Sequence, residues 1–311
     1  MARYIAGRVA QAAVVIWIVA SIVFVIVRLT PGDAAQQIAG PDASEATIQE
    51  IRHQLGIDRP IYRQYFTFLG QAARGDFNRS LRLNDSALSV VLDRAPATAK
   101  LAAVALTISV GLGGLVGVLA AMSPGGLVDR TGKAVAVLGQ AMPTFWIGLL
   151  LIMFFAVRLN WLPTSGTGTW KHYILPGITI GWFSMAAMVR LTRSAMLDVL
   201  SSDYVRLLKI KGLSRRSIVF KHALRNAAIP VLTLASLQLV AFLSGSVVVE
   251  SIFAWPGVGR LLVDAITQRD YTVVQAATLF ISVTLVLVNL CVDLLYAVLD
   301  PRIKYGAEAA R

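Results

Sequence analysis

Residues 203–230 read DYVRLLKIKGLSRRSIVFKHALRNAAIP and form the most basic stretch of an apolar chain. The stretch contains one acid, Asp203, and seven cations: Arg206, Lys209, Lys211, Arg215, Arg216, Lys221 and Arg225. Hydrophobic runs long enough to cross a bilayer lie on both sides of it. A charged, helix-prone loop between two membrane spans predicts a surface that binds a partner outside the bilayer.

The composition indicates a membrane protein with several spans. The 311 residues are 56% hydrophobic and 15% charged, whereas a soluble domain carries about 25% charged residues. The net charge of +12 raises the alternative of nucleic-acid binding. Membrane proteins keep an excess of Lys and Arg in their cytoplasmic loops, and we therefore expect no nucleic-acid partner. The single cysteine, Cys291, excludes a disulfide within the chain.

Six apolar stretches predict six membrane-spanning helices, since one span needs about 20 mostly apolar residues. They cover approximately residues 9–29, 100–122, 134–159, 175–188, 230–249 and 274–298, and the fourth continues as an amphipathic extension. The first stretch follows two arginines, as a signal peptide does. It is longer than the apolar region of a signal peptide and has no clear cleavage site, so we expect a retained span. The distribution of basic residues places both termini and the basic loop in the cytoplasm.

The polar segment 30–98 is almost neutral and is expected outside the cytoplasm. It predicts one short helix capped near Ser44 and a second helix over 61–75. A mere connector is the alternative, but a structureless loop of this length is uncommon, so we expect a small helical subdomain. The predicted organisation is residues 1–29 (N-terminus and first span), 30–98 (extracytoplasmic helical loop) and 99–311 (a five-helix core with its basic loop at about 201–229).

Several residues inside the spans bear on packing and function. Glycines 111, 113, 114 and 117 predict close helix packing in the second span. Pro143 favours a kink in the third span; the kink could line a pathway or serve packing alone, and Pro143 is a weak candidate for a pathway residue. Asp293 is the only acid deep in a predicted span, where it could have a functional role or pair with a basic residue near the inner surface.

The basic loop itself predicts two helices. Ser201 and Ser202 can cap a first helix, with Asp203 at its positive end, and Gly212 is placed to end it in a left-handed conformation. Val205 and Leu208 are expected as apolar contacts among cationic side chains.

Ser214 can cap a second helix, through about Arg225, that returns to the membrane at Pro230. A short helix of this kind suits a groove in a soluble protein. A helix held at the lipid surface by anionic headgroups is the alternative.

The loop sequence DYVRLLKIKGLS followed by HALRNAAIP closely resembles the coupling loop of ABC importer permeases of the dipeptide/oligopeptide/nickel family. The resemblance covers nearly the whole chain and matches the first permease type, which has a long outer loop after the first span. The matching stretches are PGD at 31–33, GIDRPIYRQY at 56–65, GDFNRSL at 75–81, QAMPTFWIGLLL at 140–151, ESIFAWPGVGRLLVDAITQRDY at 250–271 and VDLLYAVLDPR at 292–302. One departure is that 207–209, Leu-Leu-Lys, replace the Glu-Ala-Ala of importer permeases, although peptide permeases generally depart there too.

The resemblance implies an all-α integral membrane protein with six transmembrane helices and the ABC type I importer permease fold. It implies a place in the bacterial cytoplasmic membrane beside a second homologous permease subunit, two ABC ATPase subunits and an extracytoplasmic solute-binding protein. The helix 203–212 would lie in a cleft of one ATPase. The coupling contacts implied are Asp203, Tyr204, Arg206, Leu208, Lys211 and Gly212, with Arg215 and Arg216 as supporting charges.

By the same resemblance the chain is a transport subunit and not an enzyme, and it holds no cofactor, because the partner ATPases bind ATP and magnesium. Peptides are the expected solutes; nickel chelates, glutathione and opine- or sugar-like compounds are carried by similar machinery. A stand-alone secondary transporter or channel is the alternative of another class. Such proteins usually show inverted repeats or charges in mid-membrane, and this sequence has no obvious repeat.

Overall fold

The computed structural model describes residues 2–29, 35, 39, 43–54, 56–80 and 82–299. Its secondary structure is helical apart from one hairpin of two-residue strands within the described part of the chain. The described residues form two compact units. The first contains residues up to Ala95 together with Leu261–Leu290, and the second contains Pro96–Arg260 together with the residues from Cys291.

The first unit begins with the apolar helix α1, Ala2–Leu29. The polar segment after it contains the elements α2 (Glu45–Gln54), α3 (Ile61–Arg74), β1 (Arg79–Ser80) and β2 (Asp85–Ser86). The two predicted short helices are therefore confirmed, and the Ser44 hydroxyl accepts the Thr47 N–H at 3.2 Å as a helix cap does. The side of the membrane on which they lie stays a prediction.

Aromatic side chains join α3 to α1. The ring of Phe24 lies 5.4 Å from that of Tyr65 and 5.6 Å from that of Phe68, between ring centroids. The hydroxyl groups of Ser21 and Tyr65 are hydrogen-bonded at 2.7 Å. The polar segment is thus packed against the first apolar helix and is not a loose connector.

Most of the remaining helices belong to the second unit. In chain order they are α4 (Ala87–Met122), α5 (Leu127–Ala141), α6 (Thr144–Leu151) with a π-helical continuation (Ile152–Arg158), a 3-10 turn (Trp170–Tyr173), α7 (Ile174–Leu200), α8 (Asp203–Ile210), α9 (Arg215–Ser217), a π-helical stretch (Ile218–Ala223), α10 (Leu224–Ile252), α11 (Val258–Thr267) and α12 (Tyr271–Leu299). Helices α4, α11 and α12 extend into the first unit.

Among the residues that the structure describes, five helices are long and apolar enough to cross a membrane, and a sixth span requires that α5 and α6 count as one. The predicted third span is not a kinked helix, because the axes of α5 and α6 differ by 112°. Met142 and Pro143 are both extended, with ψ of 132° and 138°, so one helix ends and another begins. The proline ring disfavours the helical conformation at the preceding residue, which favours a break at this position.

The return from the basic loop also differs from the prediction. Helical turns run without interruption from Arg215 through Ile252, so the second loop helix and the fifth span are one helix with Pro230 inside it. Proline in a helix removes one backbone hydrogen bond. Packing maintains the helix on either side of it, where Ala227 and Val231 are buried against neighbouring helices.

Two of the four glycines in the second span allow α4 and α7 to approach closely. A Cβ atom at Gly113 would lie 2.7 Å from the Cβ of Met188, and one at Gly117 would lie 2.7 Å from the Cβ of Thr192. Gly111 and Gly114 have open space where a Cβ would be. Close packing in this span is confirmed, and it involves one face of the helix.

Candidate functional site

The basic loop, residues 201–229, begins directly after α7. Its first helix, α8, is the segment that the resemblance predicts to be the coupling helix, and we use that name for it below. The hydroxyl groups of Ser201 and Ser202 donate to the carbonyl oxygens of Asp198 and Val199, at 3.0 and 2.6 Å. Ser202 occupies the position before the coupling helix, but its side chain makes no capping hydrogen bond to that helix. The predicted serine cap is therefore wrong, because the last carbonyl groups of α7 lack helical partners and take these donors.

The end of the coupling helix follows the prediction. Gly212 has φ of +77°, a left-handed conformation that glycine adopts without strain. Its N–H donates to the carbonyl oxygen of Lys209 at 3.0 Å, and the N–H of Leu213 donates to that of Leu208 at 3.2 Å. This pair of hydrogen bonds is a Schellman motif, which ends the helix sharply.

The next helix starts at the predicted cap, since the Ser214 hydroxyl accepts the N–H of Ser217 at 3.3 Å. The short helices of the loop are therefore separated by a defined turn of four residues, 211–214.

The coupling helix has one buried face and one exposed face. Val205 is completely buried within the chain, so it is unavailable to a partner and its predicted role as an apolar contact is wrong. Leu208 is half-buried. The prominent apolar side chains are Leu207 and Ile210, which are 58% and 77% exposed.

Four charged residues of the predicted site also lie on the surface of the chain. Asp203, Arg206, Lys211 and Arg216 are all exposed. Arg216 has no hydrogen bond or ion pair to any other residue in the described part of the chain, which leaves it available for a partner. Its role, like those of the other predicted contacts, stays a prediction.

Two predicted contact residues have partners inside the chain. The Tyr204 hydroxyl and the His222 Nδ1 atom are hydrogen-bonded at 3.1 Å, which links the coupling helix to the returning chain. Arg215 donates from Nη2 to the carbonyl oxygen of Met122, the last residue of α4, at 2.6 Å. Side-chain hydrogen bonds thus connect the loop to the rest of the second unit, in addition to the chain itself at its two ends.

Apolar packing supports the loop from beneath. One cluster of buried side chains joins the ends of α4 and α7 to the returning helix; its members are Val118, Ala121, Met196, Val219, Ala223 and Ala227. These residues are almost completely excluded from solvent, so the loop rests on a close-packed surface.

Asp129, on α5, is a buried acid that the sequence pattern did not reveal. Its oxygens accept hydrogen bonds from Arg193 Nε and Nη2 at 2.5 and 3.0 Å, and from Lys133 Nζ at 3.1 Å. The backbone N–H of Gly125 donates to it at 2.8 Å. Asp129 stands in a short hydrophilic stretch, and Arg193 is far away in sequence, so no local signal predicts their contact. The Asp129–Lys133 spacing of four residues was the one available indication.

Glu250, in the last turn of α10, is also completely buried. It accepts hydrogen bonds from the Thr98 hydroxyl at 2.8 Å and from the backbone N–H of Arg260 at 3.0 Å. Glu250 lies beyond the apolar span Arg215–Leu243 of this helix, so its burial does not test the prediction that Asp293 is the only acid deep in a span, which stays a prediction. Both buried acids have their hydrogen bonds satisfied by the protein, which is typical of structural carboxylates.

Close approach of glycines explains how the Glu250 carboxylate is enclosed. A Cβ atom at Gly257 would overlap the carboxylate, and one at Gly259 would lie 2.9 Å from its Oε2 atom. The indole N–H of Trp255 donates to the carbonyl oxygen of Ala97 at 3.0 Å, which fixes the same turn. The FAWPGVG turn is thus organised around the buried side chain of Glu250.

Pro143 is exposed at the break between α5 and α6. The break gives it a structural role as the residue that starts α6. A role in the translocation pathway stays a prediction.

Comparison with known proteins identifies related chains. Residues 113–305 match the family described as binding-protein-dependent transport system inner membrane component, and residues 1–102 match the N-terminal component of such systems. The glutathione transport system permease protein GsiC of Escherichia coli K12 is 42% identical over 305 residues, which cover 98% of this chain and 100% of the relative. GsiC of Shigella dysenteriae serotype 1 matches to the same extent.

A solved structure has a similar fold. A chain of the MetNI methionine ABC transporter in an inward-facing conformation superposes with a TM-score of 0.55 at 18% sequence identity. The superposition covers 68% of this chain and 96% of that chain. At this identity the likeness concerns the fold alone, and the family rests on the sequence matches. The chain belongs to the family of binding-protein-dependent transport system inner membrane components, as the permease subunit of an ABC importer.

Proposed function

We propose that this permease subunit forms half of a translocation pathway for short peptides, and that its coupling helix lies in a cleft of a partner ATPase. The second half of the pathway is a homologous permease subunit, and a second ATPase and an extracytoplasmic solute-binding protein complete the transporter. Both termini lie in the cytoplasm, on the same side as the coupling loop. The chain itself performs no covalent chemistry.

The exposed face of the coupling helix is the observation that carries the ATPase contact. Leu207 and Ile210 project from a helix of eight residues whose other exposed side chains are mostly charged or polar. A few apolar anchors with a polar surround are the usual composition of a helix that binds in a groove. The surrounding cations favour an acidic groove and increase the rate of association with it.

Movement of the ATPases drives the transport cycle in this proposal. ATP binding brings two ATPases together, and the coupling helices seated in them move with them. The membrane helices then change from inward- to outward-facing, provided that ATP binds more tightly in one state than in the other. ATP hydrolysis and product release restore the first state.

The relatives favour glutathione, one of the alternatives to di- and oligopeptides that the resemblance implies. GsiC proteins from several bacteria are named for glutathione transport and match almost the full length of this chain. Glutathione is a tripeptide with a γ-linkage, so it is chemically close to the proposed short peptides, and it is the first alternative solute to test.

Uptake by the reconstituted complex tests the substrate. The transporter, with its partner subunits and binding protein in proteoliposomes, is supplied with radiolabelled glutathione or trialanine and with a nickel chelate for comparison. We expect ATP-dependent accumulation of at least one of the two peptides. Transport of the nickel chelate alone would contradict the peptide assignment.

Omitting the ATPases separates an importer subunit from a stand-alone transporter. We expect no accumulation by the permease pair without them. Solute accumulation that is equally fast without the ATPases would contradict the proposed mechanism and favour a secondary transporter.

A further inference from the structure

The turn between α4 and α5, residues 123–126, is held from two sides by charged groups. On one side Arg215 of the basic loop donates to the carbonyl oxygen of Met122 at 2.6 Å, immediately before the turn. On the other side Asp129 accepts the N–H of Gly125 at 2.8 Å, within the turn. The turn is therefore in direct contact with the loop and with the interior of the second unit.

The position of Arg215 is favoured by α4 and not by its own helix. Arg215 lies in the first turn after the Ser214 cap, where the helix dipole disfavours a cation. Met122 ends α4, where carbonyl groups lack helical partners and the dipole is negative. A guanidinium donor at this end forms a charge-assisted hydrogen bond, which is about twice as strong as a neutral one.

The hydrogen bonds of Asp129 connect the turn to α7, one of the candidate membrane helices. Both oxygens of Asp129 contact Arg193 of α7, and the side chain of Asp129 is completely buried. A bidentate contact fixes orientation as well as distance. Displacement of the turn must therefore move α5 together with α7, or else separate a buried charge pair at a large cost.

The apolar cluster beneath the loop adds a second connection. Val219 and Ala223 of the returning chain pack against Val118 and Ala121 of α4. Close-packed side chains transmit displacement because they leave no void to absorb it.

We propose that movement of the basic loop, residues 201–229, displaces the 123–126 turn. Arg215 is the positioning residue that transmits this movement to α4 and α5. The proposal rests on the proposed function, in which a partner ATPase moves the loop. In this proposal Arg215 does not contact the ATPase; it contacts the end of α4 within the same chain. Binding of the ATPase depends instead on the exposed face of the coupling helix.

Substitution of Arg215 in the complete transporter tests the proposal. We compare Arg215→Ala with Arg215→Lys, which retains a cationic donor. Arg225→Ala is the matched control, since Arg225 is an exposed arginine of the same loop with no hydrogen bond or ion pair to another described residue. Three quantities are measured in proteoliposomes: co-purification of the ATPases, the rate of ATP hydrolysis, and accumulation of radiolabelled glutathione or trialanine.

We expect Arg215→Ala to retain the ATPases and to hydrolyse ATP, while solute accumulated per ATP falls about tenfold. Arg215→Lys should recover a large part of this ratio, and Arg225→Ala should keep it. A purely structural role would lower assembly, hydrolysis and uptake together, so the ratio distinguishes the two.

Distance measurements test the transmission directly. Nitroxide labels at Lys209 and Arg130, in a Cys291→Ser background, report the separation of the coupling helix from the start of α5. We expect ATP to leave this distance unchanged in the parent protein and to change it in Arg215→Ala. An equal response to ATP in both would overturn the proposal.

Two biochemical results would also overturn it. One is a normal ratio of uptake to hydrolysis in Arg215→Ala. The other is loss of the ATPases from Arg215→Ala in proportion to uptake, which would make Arg215 a docking contact and leave the proposed function intact. The proposed function itself would fail separately, if Gly212→Asp left ATPase assembly and uptake unchanged.

Discussion

Replacement of Gly113 or Gly117 by alanine should separate α4 from α7, whereas the same replacement at Gly111 or Gly114 should not. These four glycines lie within seven positions of one helix, so sequence context and membrane depth are nearly matched. Only Gly113 and Gly117 face α7 at a distance that excludes a methyl group. Comparison of the four alanine variants therefore separates the effect of close packing from the effect of the low helix propensity of glycine.

The magnitude follows from the contact distances. A new Cβ at Gly113 or Gly117 would lie 2.7 Å from a side-chain Cβ and 2.9 Å from a backbone carbonyl oxygen of α7. Carbon atoms pack at about 3.5–4.0 Å, so the helices must move apart by about 1 Å. Overpacking of this kind costs about 1–3 kcal/mol. Alanine recovers about 1 kcal/mol of helix propensity, which leaves a net loss of up to about 2 kcal/mol at Gly113 or Gly117.

Thermal unfolding of the purified protein in detergent, followed by intrinsic tryptophan fluorescence, measures the difference. We expect the Tm of Gly113→Ala and Gly117→Ala to fall by several degrees, at about 2–4 °C for each kcal/mol. The Tm of Gly111→Ala and Gly114→Ala should be unchanged or slightly raised. Equal changes in Tm at all four positions would refute the packing argument, because propensity alone would then account for them.

Three further substitutions test particular contacts. Asp129→Asn should lower the free energy of unfolding, because Arg193 loses its counter-charge, and denaturant unfolding measures this. Gly257→Ala should lower the Tm strongly, since the new methyl group would overlap the Glu250 carboxylate and overpacking costs up to about 3 kcal/mol. Gly212→Asp should abolish ATP-dependent uptake and co-purification of the ATPases, because the left-handed end of the coupling helix is strained by a side chain.

Controls for these substitutions come from the same chain. Gly70→Ala, at a helical glycine with open space around it, should leave the Tm unchanged and matches Gly257→Ala. Combining Asp129→Asn with Arg193→Gln should cost less than the sum of the single substitutions, because the two side chains interact. Additive losses in that double mutant, or a Tm for Gly257→Ala equal to that for Gly70→Ala, would contradict the contacts described above.

Local patterns in the sequence predicted those features whose cause is local. Apolar length predicted the membrane helices because the bilayer sets the number of residues needed to cross it. The ends of the coupling helix depended on single residues: Gly212 adopts the left-handed conformation, and Ser214 caps the helix that follows. The resemblance of the loop sequence led to the correct family, which the sequence matches confirm.

Other local predictions failed where a competing interaction was stronger. Ser202 was a plausible cap, but the unpaired carbonyl groups at the end of α7 took its hydroxyl group. Pro143 predicted a kink, yet its effect on Met142 broke the helix completely. Pro230 was expected to mark a boundary, and packing on both sides kept the helix continuous instead.

The sequence by itself determined the class of protein, the place of the basic loop, and the turn at Gly212 and Ser214 that separates its two helices, because composition, apolar length and capping act over a few neighbouring residues. Only the tertiary structure decided which face of the coupling helix is exposed, that Arg215 contacts the end of α4, and that Asp129 and Glu250 are buried. Such contacts join residues far apart in the chain, and their energies depend on burial and on the distance between atoms. No short stretch of sequence carries that information.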